Sequence, residues 1–182
     1  MAKILLMGDN FTQQFPENYI GDKRDEIINQ SFDNIGVATY HKNIWPKISE
    51  EDIDIIVFLL GFNNIINPDI DNDELNTIND TIEKIKKFIN DLTRTDARII
   101  LQSLYPTRSE KLNLLIKTVN EKILEHCYGM DIEYLDMYDL LTDKNGLLKE
   151  NYTTDGIHIT NMGYTLIANQ INDFVETINK DK

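Results

Sequence analysis

Asp155-Gly156-Ile157-His158 sets a carboxylate three residues ahead of an imidazole, a combination of side chains able to move protons at neutral pH. Three further clusters carry residues suited to binding at a chain turn: Gly8-Asp9-Asn10, Gly36, and Gly61-Phe62-Asn63-Asn64. Taken singly, each also reads as an ordinary turn, because Gly, Asp and Asn accept turn geometry readily. Their order along the chain, and the element that each one follows or precedes, give them weight together.

Four apolar runs bounded by polar turns read as buried parallel strands: Ile4–Met7, Ile53–Leu60, Arg98–Leu101 and Ile132–Leu135. They are continuous rather than alternating, as burial on both faces demands. Ile27–Asn34 is a poorer strand candidate in a suitable place. Helical spacing links Leu75, Ile78, Ile82, Ile85, Ile89 and Leu92, then Leu112, Leu115, Ile116, Val119 and Ile123, and finally Leu166, Ile167, Ile171, Phe174 and Ile178. Strand alternating with helix predicts a three-layer α/β/α sandwich on a five-stranded parallel sheet, in a single domain over residues 1–182. In such sheets ligands bind beyond the carboxyl ends of the strands. The first three clusters follow predicted strands there, and Asp155–His158 stands just before the last helix.

Composition narrows the partners. With 18 basic against 31 acidic residues, a net of −13, and no dense Lys/Arg cluster, nucleic acid and anionic membrane surfaces are excluded as expected partners. A small molecule is the expected ligand. Cys127 is the only cysteine, so no internal disulfide can form. One histidine and one carboxylate in the last cluster are too few for a zinc site, and neither metal nor cofactor is expected. No apolar run approaches a membrane span or a signal-peptide core, so a cytoplasmic protein is expected.

The four clusters resemble the sequence blocks of the SGNH, or GDSL, hydrolase superfamily, whose members hydrolyse esters and thioesters on a flavodoxin-like sheet. KILLMGDNFT (Lys3–Thr12) resembles the first block, NIGVAT (Asn34–Thr39) the second and DIIVFLLGFNN (Asp54–Asn64) the third. The span from IEYLDMYDLL to TTDGIHITNMGYTLIANQI resembles the closing segment and is the most specific of the four. The resemblance implies that His158 is a general base oriented by Asp155, with its ring beside position 10. It also implies oxyanion donors at the backbone N–H of position 10, the backbone N–H of Gly36 and the Asn63 carboxamide, with Gly8, Asp9, Gly61 and Asn64 in support. For the second donor, Gly36 is preferred because a residue without Cβ permits close approach; the stretch Asn29–Ser31 is the alternative.

The sequence departs from the family at Asn10, where the nucleophilic serine is expected. A carboxamide nitrogen is delocalised into its carbonyl and is not among the side chains that form acyl intermediates. Thr12 and Ser31 are poor substitutes, one starting a helix and the other lying in another loop. The expected function is short-chain acyl ester hydrolysis, of a carbohydrate O-acetyl group for instance, weak or absent because of Asn10. A non-catalytic binding protein on the same fold is the alternative. Trp45, Tyr105 and Tyr152 are aromatic side chains able to flank a sugar at such a site.

Overall fold

The computed structural model describes residues 1–16, 18–71 and 77–180. Five strands, β1 (Lys3–Gly8), β2 (Glu26–Ser31), β3 (Ile55–Leu59), β4 (Arg98–Gln102) and β5 (Ile132–Leu135), form one sheet in the order β2-β1-β3-β4-β5. Every neighbouring pair is parallel. Every residue of β3, and all but the first of β1 and β4, is buried, which only helices covering both faces can achieve. β2 ends at Ser31, short of the expected Asn34, and is mostly exposed along its length. As an outer strand with a single partner it needs no continuous apolar run, which is why its signal in the sequence is weak.

The expected helices form as α5 (Ile78–Leu92), α6 (Glu110–Cys127) and α8 (Asn161–Lys180). α5 buries Ile82, Ile85, Phe88, Ile89 and Leu92, and a Thr77–Asp80 capping box closes its N-terminus. Leu75, assigned to the same stripe, lies outside the described residues. Shorter helices α1 (Asn10–Gln13), α2 (Val37–Asn43), α3 (Trp45–Ile48), α4 (Phe62–Ile66) and α7 (Met137–Leu141) follow strand ends or link elements.

The sheet order has a functional consequence. The chain moves outward from β1 in one direction to β2 and in the other to β3, so the connections leave β1 and β3 on opposite faces. The crevice beyond their carboxyl ends is the topological switch point, where sheets of this order bind ligands. Gly8-Asp9-Asn10 leaves β1 on one side of it, and Gly61 to Asn64 leaves β3 on the other.

Trp45 and Tyr105 are both buried, so neither can stack on a sugar. Trp45 packs on Phe88 at 5.7 Å between ring centroids, and Tyr105 lies under Phe11 with its hydroxyl donating to Gln102 Oε1 at 2.6 Å. Cys127 is buried at the end of α6, and burial pushes its thiol up to about 11, as suits a packing residue.

Candidate active site

At the end of β1 the chain turns so tightly that a Cβ on Gly8 would meet Thr12 Oγ1 at 2.1 Å and the Leu59 carbonyl oxygen at 2.6 Å. Asp9 then caps α1, accepting the Phe11 N–H at 3.2 Å. Its side chain is fully buried, and Oδ2 finds no hydrogen-bond partner among the described residues. Burial pushes this carboxyl up to about 7, with Asp33 adding repulsion and the Phe11 N–H opposing. Thr12 is buried as well, and the Ser31 hydroxyl is engaged by Asn29 Oδ1.

Asn10 begins α1, and its side-chain oxygen is doubly held. Oδ1 accepts the Asn34 backbone N–H at 3.0 Å and the Asn63 Nδ2 at 3.0 Å. The two donors arrive from different loops, one after β2 and one after β3. Asn63 is itself buried and also donates to the Ile35 carbonyl at 3.1 Å, tying its loop to the Asn34 loop. Asn34 adopts a positive φ of 49°, which asparagine tolerates better than most residues and which turns its N–H into the crevice. Position 34 was not expected to supply a donor.

Gly36 is two residues further on, at the N-cap of α2. Its lack of a side chain answers a different need, since a Cβ there would meet Asp71 Oδ1 at 2.3 Å. The alternative stretch is spent locally, with Asn29 Oδ1 accepting the Ser31 N–H at 3.1 Å inside β2. The N–H that reaches Asn10 Oδ1 comes from Asn34, the first residue of the block Asn34–Thr39 that also holds Gly36. Gly61 has φ +125°, a conformation L side chains rarely adopt, and it launches α4 with Asn63 and Asn64 both buried.

Asp155 and His158 form the expected pair. Asp155 Oδ1 accepts the backbone N–H groups of Ile157 at 2.9 Å and His158 at 2.8 Å, while Oδ2 meets His158 Nδ1 at 2.5 Å. The imidazole, then these two amides, hold the carboxyl well below the usual carboxylate range. It is charged at any physiological pH, and its partner is Nδ1, so Nε2 is the ring nitrogen turned away from the carboxylate. Both side chains are about half exposed, and no hydrogen bond joins His158 to Asn10 among the described residues. Just after the pair, α8 is tied to the first turn of α1 by Tyr164, whose hydroxyl donates to the Phe11 carbonyl at 2.7 Å.

The other two histidines have partners that sequence proximity does not reveal. His41 Nε2 lies 2.7 Å from Asp91 and stacks on Phe88, while His126 Nε2 lies 2.9 Å from Asn90. Among the described residues no three His, Cys, Asp or Glu side chains gather as metal ligands, and no helix is long and apolar enough to cross a membrane.

The model of the GDSL-like Lipase/Acylhydrolase family matches residues 7–166, from the end of β1 into α8. The chain belongs to this family. All four polar clusters fall inside the matched span. Among solved structures, a GDSL-like lipase from Bacteroides thetaiotaomicron is 16% identical, with a TM-score of 0.82 covering 100% of this chain and 89% of that one. An acetyl xylan esterase, AlAXEase, is 13% identical, with a TM-score of 0.76 covering 95% of this chain and 99% of that one. At these identities the likeness is one of fold. An N-acylneuraminate cytidylyltransferase of Escherichia coli is 26% identical over 97% of this chain, but only 41% of that protein is matched. The chain thus spans about two fifths of the length of the curated relatives it matches.

Proposed function

We propose that this GDSL family member recognises the acyl carbonyl of a small ester, best an O-acetyl group on a sugar, and that Asn10 stands where other members carry the attacking serine. The observation that carries this reading is the convergence of the Asn34 N–H and the Asn63 carboxamide on one carbonyl-type oxygen, Asn10 Oδ1. Two donors at hydrogen-bond distance from a single oxygen are what a tetrahedral oxyanion requires.

In this chain that oxygen belongs to the protein. An incoming acyl group has to displace Asn10 Oδ1 before it can use the donors, and the Asn10 nitrogen cannot attack it. The remaining route is a water deprotonated at His158 Nε2, with Asp155 stabilising the imidazolium. A serine triad stripped of its nucleophile keeps roughly 10³ to 10⁴-fold acceleration over water. Turnover here falls at or below that level, since the donors must first be released. The acetyl xylan esterase fold and the N-acylneuraminate named in the partial relative both support a sugar ester. The occupied donors equally favour a second reading, a protein that binds such an ester without hydrolysing it.

The test is hydrolysis of p-nitrophenyl esters from acetyl to octanoyl, and of O-acetylated sugars including O-acetyl N-acylneuraminate, with His158→Ala as blank. Asn10→Ser supplies the missing hydroxyl and exposes both donors, and it should raise acetyl ester hydrolysis by at least about 100-fold. If Asn10→Ser folds and stays at the level of its parent while acetylated sugar still binds by calorimetry, the non-catalytic reading holds. If neither hydrolysis nor binding is found, the site is not an acyl site.

A further inference from the structure

Asp71 lies in none of the four polar clusters, yet its carboxylate is the most heavily engaged near the site. The side chain is 0% exposed. Oδ1 accepts the Thr39 N–H at 2.9 Å and the Thr39 hydroxyl at 2.8 Å. Oδ2 accepts the Asn64 Nδ2 at 2.7 Å, the Lys84 Nζ at 3.2 Å and the Ala38 N–H at 3.3 Å. Burial pushes this carboxyl up, and the Thr39, Asn64 and Lys84 donors overcome it, leaving the group below its ordinary value. Asn64 uses its other end to accept the Val37 N–H at 3.0 Å.

Asp71 therefore fastens the first turn of α2 twice, directly through Ala38 and Thr39 and indirectly through Asn64 and Val37. The loop that delivers the Asn34 N–H runs straight into that turn. Asn64 is the neighbour of Asn63, the second donor, and Asn63 is bonded back to the same loop at Ile35. We infer that Asp71 is a positioning residue for the carbonyl-binding donors, setting the separation of the Asn34 N–H and the Asn63 carboxamide without touching the ligand. The inference builds on the acyl-site reading, but its geometry exists in the chain whether or not an ester is hydrolysed. It also accounts for Gly36, where any side chain would be driven into the carboxylate.

The experiment has two arms. In the parent chain, amide hydrogen exchange by NMR is compared between Asn34 and the β4 residues Ile99 to Leu101. Asp71→Asn places an NH₂ group against donors, and exchange at Asn34 should accelerate by about tenfold or more while β4 changes little. The exchanged pair, Asn64→Asp with Asp71→Asn, rebuilds the bond between positions 64 and 71 with its polarity reversed and still accepts the Val37 N–H. Protection at Asn34 should return in part, because the new NH₂ at position 71 still faces the Ala38 N–H and the Lys84 ammonium. Should Asp71→Asn fail to fold, Thr39→Val removes one donor and should give the same selective pattern at smaller size. Uniform acceleration across Asn34 and β4, no change at Asn34, or no recovery in the exchanged pair overturns the inference.

The second arm uses the Asn10→Ser chain. There Asp71→Asn should lower kcat for an acetyl ester by about tenfold or more with KM moving less than about threefold, since misplaced donors cost most in the transition state. An Asn10→Ser chain that is inert while the exchange pattern holds refutes the esterase reading alone. An active Asn10→Ser chain whose kcat ignores Asp71→Asn refutes the positioning role alone.

Discussion

Asp9 sits one residue before Asn10 with one carboxyl oxygen bonded to the Phe11 N–H and the other buried without a partner among the described residues. Burial raises it from an ordinary 3.8 to about 7, so the folded chain retains a proton that the unfolded chain gives up. Because the folded pKa is raised, the stabilising contribution is complete below about pH 4 and is lost as pH climbs through about 7, a change of up to about 4 kcal/mol. Asp9→Asn keeps the acceptor for Phe11 and removes the titration. Urea midpoints measured from pH 4 to 8 should fall more steeply for the parent than for Asp9→Asn, with the variant gaining at the alkaline end. Parallel profiles would mean that the carboxyl is reached by water. At the same scale lies the difference between what the sequence discloses and what it hides. Asp155 and His158 are legible because their bond is local, whereas Asn34 is not, because the direction of its N–H depends on a positive φ and on where Asn63 lies. Asp71 is hidden for a related reason, its partners standing as far as 33 residues away.

Among the elements, β1 and β3 are the pair that makes the crevice, and their close approach at Gly8 is unforgiving. The nearest backbone atom to a Cβ there is the Leu59 carbonyl oxygen, at 2.6 Å, which cannot rotate aside as a side chain can. Gly8→Ala should cost about 3 kcal/mol or more and lower the Tm, with the site lost before the sheet. A Tm within about 1 °C of the parent would show that β1 and β3 part without strain. The central strands and long helices were readable because two-sided burial imposes continuous apolar runs and one-sided burial imposes helical stripes. The end of β2 at Ser31 is not legible in the sequence, because an exposed outer strand is under neither constraint. Residue type alone does not separate Trp45 and Tyr105 from sugar-stacking aromatics, and the packing around Phe88 and Phe11 takes both into the core.

For the whole molecule, 31 acidic against 18 basic residues leave a net of −13, and several exposed ion pairs do not offset that repulsion. Raising sodium chloride from about 0.05 to 0.5 M should stabilise the fold by about 1 kcal/mol in urea titrations, as screening shortens the reach of like charges. A midpoint that falls with salt would mean that specific pairs outweigh the net charge. The Tyr164 hydroxyl reaches back 153 residues to the Phe11 carbonyl, bringing the last helix onto the loop that follows the first strand. On the ribosome, β1 to β5 and their connections emerge before Asp155, His158 and Tyr164, so a nascent chain can pair its sheet while the candidate site still lacks the Asp155–His158 pair and the Tyr164 tether. The candidate site is therefore complete only once synthesis has passed α8, and under the proposed function a chain cut short before that helix should bind no ester even where its sheet survives.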